Sequence, residues 1–162
     1  MSFERAIQAD REERFIEAAD LYEACLDGEM EVCALVNLLV LYWESSSSGF
    51  YSAHHLPDSF IQRANRRFRE LLATASERFP DEPSVRFWTK YIGSLEGGAE
   101  LSETDAQGIM ISCPEYLEPL IVTLKDGEHT SDAVELLRRC EKIGTARAKY
   151  IAAVLGGIFK RK

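Results

Sequence analysis

Arg14-Phe15-Ile16-Glu17-Ala18-Ala19-Asp20-Leu21-Tyr22-Glu23-Ala24-Cys25-Leu26, followed by Asp27-Gly28, is the stretch that decides the fold of this chain. Phe15, Ala18, Ala19, Tyr22, Cys25 and Leu26 recur at intervals of three and four, which gathers the apolar side chains on one face of a helix. Strand alternation is absent. Small residues between the aromatics let a second helix approach closely, as a packed helical hairpin requires. Upstream, Phe3, Ala6 and Ile7 repeat the helical period. The charged residues 10–14 between the two groups fit a turn joining two short helices, and they fit one long helix equally. Gly28 is expected to close the helix in the left-handed conformation, which glycine enters without a Cβ penalty.

Downstream, the next helix runs from about Glu29 through Val32, Cys33, Leu35, Val36, Leu38, Leu39, Val40, Leu41, Tyr42 and Trp43. It is apolar nearly all round and must be covered on most sides. Ser45-Ser46-Ser47-Ser48-Gly49 then opens a segment, 45–57, expected to be a flexible loop. Asp58 or Ser59 is the expected cap of a helix that places Phe60, Ile61, Ala64, Phe68, Leu71, Leu72, Ala75 and Phe79 on one stripe, with Arg63, Arg66, Arg67 and Glu70 on the other. Pro80 and Pro83 stop it. Val85, Trp88, Tyr91, Ile92 and Leu95 form a further stripe, ended by Gly97-Gly98. Ser102 and Asp105 make a loose capping box, Tyr116 to Leu124 resume a helical period, Thr130 or Ser131 caps the helix carrying Ala133, Val134, Leu136, Leu137 and Cys140, and Gly144-Thr145 turns the chain into a last helix. The expected class is all-α, one domain over residues 1–162.

Charge narrows the function classes. With a formal net charge of −8, the chain repels a phosphate backbone unless its cations are segregated. Residues 1–31 hold ten acids against three arginines, whereas Arg138, Arg139, Lys142, Arg147, Lys149, Lys160, Arg161 and Lys162 cluster at the other end. The bland reading of that end is a favourable interaction with helix C-termini; the sharper one is head-to-tail contact between chains. Cys25, Cys33, Cys113 and Cys140 form no C-x-x-C pair and no zinc spacing, so no metal and no cofactor is expected, and their place among apolar helix positions suggests small hydrophobes in a reducing compartment. Cys113, before a proline, also admits a lowered pKa. The first residues lack the apolar run of a secretion signal, and the apolar stretch from Cys33 to Trp43 is too short to span a bilayer. A cytoplasmic location is the expectation.

Turns at Leu26-Asp27-Gly28-Glu29, Phe79-Pro80-Asp81-Glu82 and Leu124-Lys125-Asp126-Gly127 line up as the ends of successive hairpins. On these residues the first two thirds of the chain resemble a tetratricopeptide repeat protein. Phe15, Ala18, Tyr22 and Cys25 occupy the aromatic and small slots of that family's second helix, Phe79-Pro80-Asp81 is similar to its closing proline, and Trp88, Tyr91, Ile92 and Leu95 to the knobs of a following first helix. Glu13 stands where the family has a turn glycine. The resemblance implies antiparallel helical hairpins stacked as a short right-handed solenoid. It also implies a protein or peptide partner bound on the concave face, with Asn37, Leu41 and Arg86 as candidate contacts. Asn37 reads equally as a buried amide.

The expected function is therefore a protein-binding scaffold, chaperone or regulator, not an enzyme. A stoichiometric inhibitor or immunity-type protein has the same features. Two rivals from other classes are a small helical enzyme or ligand-binding bundle centred on Tyr51, His54 and Cys113, and a nucleic-acid binder using Arg63, Arg66, Arg67 and the basic end. Self-association is expected if the last helix leaves apolar surface uncovered. Because Ala18 is read as a packing residue, Ala18→Phe should unfold the N-terminal hairpin, losing helical circular dichroism at temperatures where the wild type is folded; a variant that stays fully stable while losing partner binding would refute that reading.

Overall fold

The computed structural model describes residues 2–161; Met1, and Lys162 of the basic end, lie outside the described residues. Among the described residues there are ten helices and no strand: α1 (Ser2–Arg11), α2 (Phe15–Glu23), α3 (Glu31–Ser45), α4 (Ser48–Ala53), α5 (Asp58–Arg78), α6 (Pro83–Leu95), α7 (Glu103–Ser112), α8 (Leu120–Thr123), α9 (Ser131–Ile143) and α10 (Ala146–Lys160). The all-α class holds. None of these helices is long and apolar enough to cross a membrane.

The open question at residues 10–14 resolves into a turn. Glu13 sits in the left-handed region at φ 61°, where the resemblance places a glycine, and the Arg14 amide donates to the Ala9 carbonyl at 2.9 Å. That conformation costs a non-glycine residue free energy, and it reverses the chain so that α2 packs along α1. Ala6, Ala9, Ala18 and Ala19 are fully buried, the close approach that their small size permits. Gly28 does not adopt the expected left-handed cap: α2 stops at Glu23, residues 24–27 form irregular turns, and the positive-φ glycines are Gly97, Gly127 and Gly144.

Helix α3 is the axis of the molecule. Every residue from Ala34 to Tyr42 is buried, because α2, α4, α5, α6 and α10 all pack against it. Each fully buried leucine there contributes roughly 2–3 kcal/mol of transfer free energy. Residues 45–57, expected as a flexible loop, contain α4 instead. Phe50 from that helix packs on Phe15 with ring centroids 5.1 Å apart, an apolar anchor that the surrounding serines mask in a composition reading. Neither Asp58 nor Ser59 is the cap of α5: Pro57 holds that position without a side-chain hydrogen bond. The loose capping box of α7 is present, and Thr130 and Thr145 cap α9 and α10. Between Ser112 and Leu120 the chain is irregular, so the period read there yields only α8.

The arginine ridge of α5 is mostly spoken for within the chain. Arg63 donates to Asp20 at 2.7 Å, and Arg67 grips Glu23 with two hydrogen bonds of 2.9 Å, so the two arginines tie α5 to α2. Arg66 is left at the surface beside Glu70. The acidic beginning and basic end also meet inside one chain. Asp10, fully buried, accepts from the Tyr22 hydroxyl at 2.8 Å and from the Ala146 amide at 2.7 Å, and Lys149 pairs with Glu13 at 3.0 Å. A carboxylate on the amide at the first residue of α10 satisfies a donor that the helix itself cannot, and it favours the positive end of the helix dipole. Burial raises the Asp10 carboxyl pKa, while the hydrogen bonds from Ala146 and Tyr22 and the charges of Lys149 and Arg147 hold it down. Asp10→Ala should destabilise the fold by about 3 kcal/mol, since it removes a charged acceptor from two buried donors; a urea midpoint equal to the wild type's would contradict that role.

Candidate functional site

Two of the three candidate contact residues are inside the protein. Asn37 is buried and donates through Nδ2 to the Tyr22 hydroxyl at 3.4 Å, with no donor found for its Oδ1. Leu41 has no exposed surface. A partner could touch neither without separating helices, so the expected contact face is corrected at those two positions. Arg86 is partly exposed on α6. The rival site is not gathered either: the cavities that His54 lines include neither Tyr51 nor Cys113. His54 stands edge-on to Phe15 at 4.9 Å and 3.7 Å from Glu13. The Cys113 pKa is raised, by its hydrogen bond to Glu115 and then by burial, so the thiolate that a nucleophile needs is disfavoured. Cys33, expected among packed positions, is exposed. Among the described residues no group of three or more His, Cys, Asp or Glu could hold a metal ion.

One turn further along the face that holds Asn37 and Leu41, at the helical spacings of seven and three, lies Glu44. Here one side of the last turn of α3 opens into a cleft of about 510 Å³ walled by Trp43, Phe68, Arg69, Glu96 and Tyr150. Elements far apart in sequence build it: Trp43 and Glu44 from α3, Phe68 and Arg69 from α5, Glu96 from the end of α6 and Tyr150 from α10. The walls are braced. Trp43 donates its indole N–H to Glu96 at 3.0 Å, its ring meets that of Tyr150 edge-on at 5.2 Å, and the Tyr150 and Tyr91 hydroxyls share a hydrogen bond of 2.7 Å. Arg69 reaches Glu96 at 3.7 Å across the mouth. Glu44 and Tyr150 also line a smaller cavity of about 200 Å³ with Glu13, Phe50, His54 and Lys149.

Within this frame Glu44 is the anomaly. It is partly buried, yet among the described residues its carboxyl makes no hydrogen bond and no ion pair. The other sequestered carboxyls are satisfied: Asp10 as described, Glu23 by Arg67 and the Tyr42 hydroxyl, and Glu118 by the Trp88 indole at 3.1 Å, by Tyr116 and by Arg147 at 3.3 Å. Lys149, the cation on the far side of Glu44, is taken by Glu13. Burial, with a smaller contribution from the Asp10 charge, pushes the Glu44 carboxyl up to about 8. A titratable group so displaced, in a cleft and without a counter-charge, marks a candidate functional site. Sequence reading passed over it because a lone Glu after an apolar run looks like a helix end; its position on the Asn37 and Leu41 face was the available signal. Comparison with protein-family models, with curated proteins and with solved structures finds no match to this chain, so the reading of the site rests on its geometry.

A carboxyl whose pKa rises on folding contributes its stability in full below the unfolded value, near 4.5, and loses it as the pH climbs towards the folded value of about 8. Glu44→Gln, which cannot ionise, escapes that loss. The variant should melt above the wild type at pH 8.5, and the two should converge at pH 5; a gap that is constant or reversed between those values would contradict a raised Glu44 pKa.

Proposed function

We propose that the chain is a protein-binding module, a scaffold, chaperone or regulator rather than an enzyme, whose recognition site is the cleft at the end of α3. The observation that carries this reading is the unpaired Glu44 carboxyl between braced aromatic walls. The site holds a carboxyl without a partner among the described residues, whereas the other sequestered carboxyls are matched, and it contains no nucleophile paired with a base. The cleft is open enough to admit an exposed segment of another protein, and Trp43 and Tyr150 supply the aromatic surface that binding sites favour.

The hairpins α1–α2, α3–α5 and α9–α10 support a repeat-like architecture, and the proposal extends to their stacking as a short right-handed solenoid like that of tetratricopeptide repeat proteins, closed by the return of α10 onto α3. Glu13 in the left-handed turn between α1 and α2 fits the glycine slot of that family. Asn37 and Leu41 are packed inside the protein and do not line the cleft. The net charge of −8 favours a basic partner and supports a stoichiometric inhibitor as the regulatory form of the same reading. The four free cysteines suit a reducing cytoplasm.

Selection of a random peptide display library on the immobilised chain tests the reading. Enriched clones should compete with one another for one site and lose at least about tenfold in affinity towards Glu44→Gln, with that variant's melting curve showing it folded. Failure to enrich, or clones indifferent to changes in the cleft, would overturn it.

A further inference from the structure

Resting on the protein-binding reading, we infer that the cleft between α3, α5, α6 and α10 takes a basic side chain of the partner, an arginine or lysine, with Glu44 as its counter-ion. Three observations converge on that chemistry. Glu44 lacks a counter-charge in a surrounding where Asp10, Glu23 and Glu118 each have hydrogen-bond donors or cations. The cations that line the two cavities bordered by Glu44 are engaged elsewhere, Arg69 with Glu96 and Lys149 with Glu13. Trp43 and Tyr150 line the same cleft, and a guanidinium or ammonium is the polar group that gains from both a carboxylate and an aromatic face. Glu96 is held by the Trp43 indole at 3.0 Å and paired with Arg69 at 3.7 Å, and the charge of the whole chain, −8, steers a basic segment towards the cleft. An apolar side chain would leave Glu44 without a partner, and a neutral donor would supply a hydrogen bond without the charge that a guanidinium or ammonium adds.

The occupant is committed to a protein side chain rather than a free organic cation. Arg69, at the mouth, is largely exposed, and a peptide backbone laid along α5 and α6 there would gain contacts that a small cation lacks. The chain carries two tryptophans, and they make the test internal: Trp43 lines the cleft, whereas Trp88 is fully buried with its indole bonded to Glu118. Titrating the full chain with capped Ala-Arg-Ala, its norleucine counterpart and butylguanidine, and following the two indole N–H resonances, reads occupancy directly.

The arginine peptide should move the Trp43 resonance saturably and that of Trp88 far less, the norleucine peptide should bind at least about tenfold more weakly, and Glu44→Gln should cost a similar factor. Equal binding of norleucine, no saturable shift, or unchanged affinity in Glu44→Gln overturns the inference. Butylguanidine binding as tightly as the peptide overturns the choice of a protein side chain and leaves a small-cation site. Display clones that depend on the cleft but lack basic residues defeat this inference while sustaining the protein-binding reading. An unproductive selection beside a positive arginine titration does the reverse.

Discussion

The buried carboxylate of Asp10 holds the two ends of this molecule together. From the last turn of α1 it receives the Tyr22 hydroxyl of α2 and the first amide of α10, 136 residues away in sequence. A charge taken out of water is costly unless its lone pairs are filled, so the position of α10 is constrained by more than apolar packing. With α10 fixed there, Tyr150 is carried to the end of α3, Lys149 is delivered to Glu13, and the wall of the Glu44 cleft exists. The second polar centre, Glu118 with Trp88, Tyr116 and Arg147, fastens α10 to α6 and to the irregular segment before α8. Both centres use neighbouring residues of α10, Ala146 and Arg147.

Two carboxylates with opposite circumstances thus define the architecture and its site. Asp10 is enclosed and satisfied; Glu44 is half enclosed and has no partner among the described residues. They are close enough for the charge of Asp10 to contribute to the raised pKa of Glu44, which links the structural centre to the candidate binding group. A cation arriving in the cleft would favour the ionised form of Glu44 and draw its raised pKa back down. The physical form of the proposal is that the free energy lost in sequestering Glu44 is recovered on binding.

Much of the fold was legible in the sequence because helices announce themselves through local spacing. The stripe of α5, the all-round apolarity of α3 and the threonine cap of α9 depend on residues a few positions apart. What escaped depends on distance. No local pattern distinguishes Asp10 from the other acids of the first hairpin, because its role is set by Tyr22 and Ala146. Arg63 and Arg67 look like a solvated ridge until α2 is laid beside them with Asp20 and Glu23. The serine-rich segment around α4 is ordered for a related reason: Phe50 and His54 reach Phe15 and α4 packs on α3, contacts that composition outweighs in a local reading. The site was half legible. The face of α3 bearing Asn37 and Leu41 is the face on which Glu44 lies, but how far along that face the protein covers itself is decided by α5, α6 and α10.

Native-state hydrogen exchange tests the closure most directly. If the Asp10 clasp makes the first and last helices one cooperative unit with α3, the Ala146 amide and the central amides of α3 should exchange with the same opening free energy and the same denaturant dependence. Exchange of Ala146 through a separate, lower-energy opening, with α9 and α10 detaching while α1 to α3 stay protected, would contradict the account.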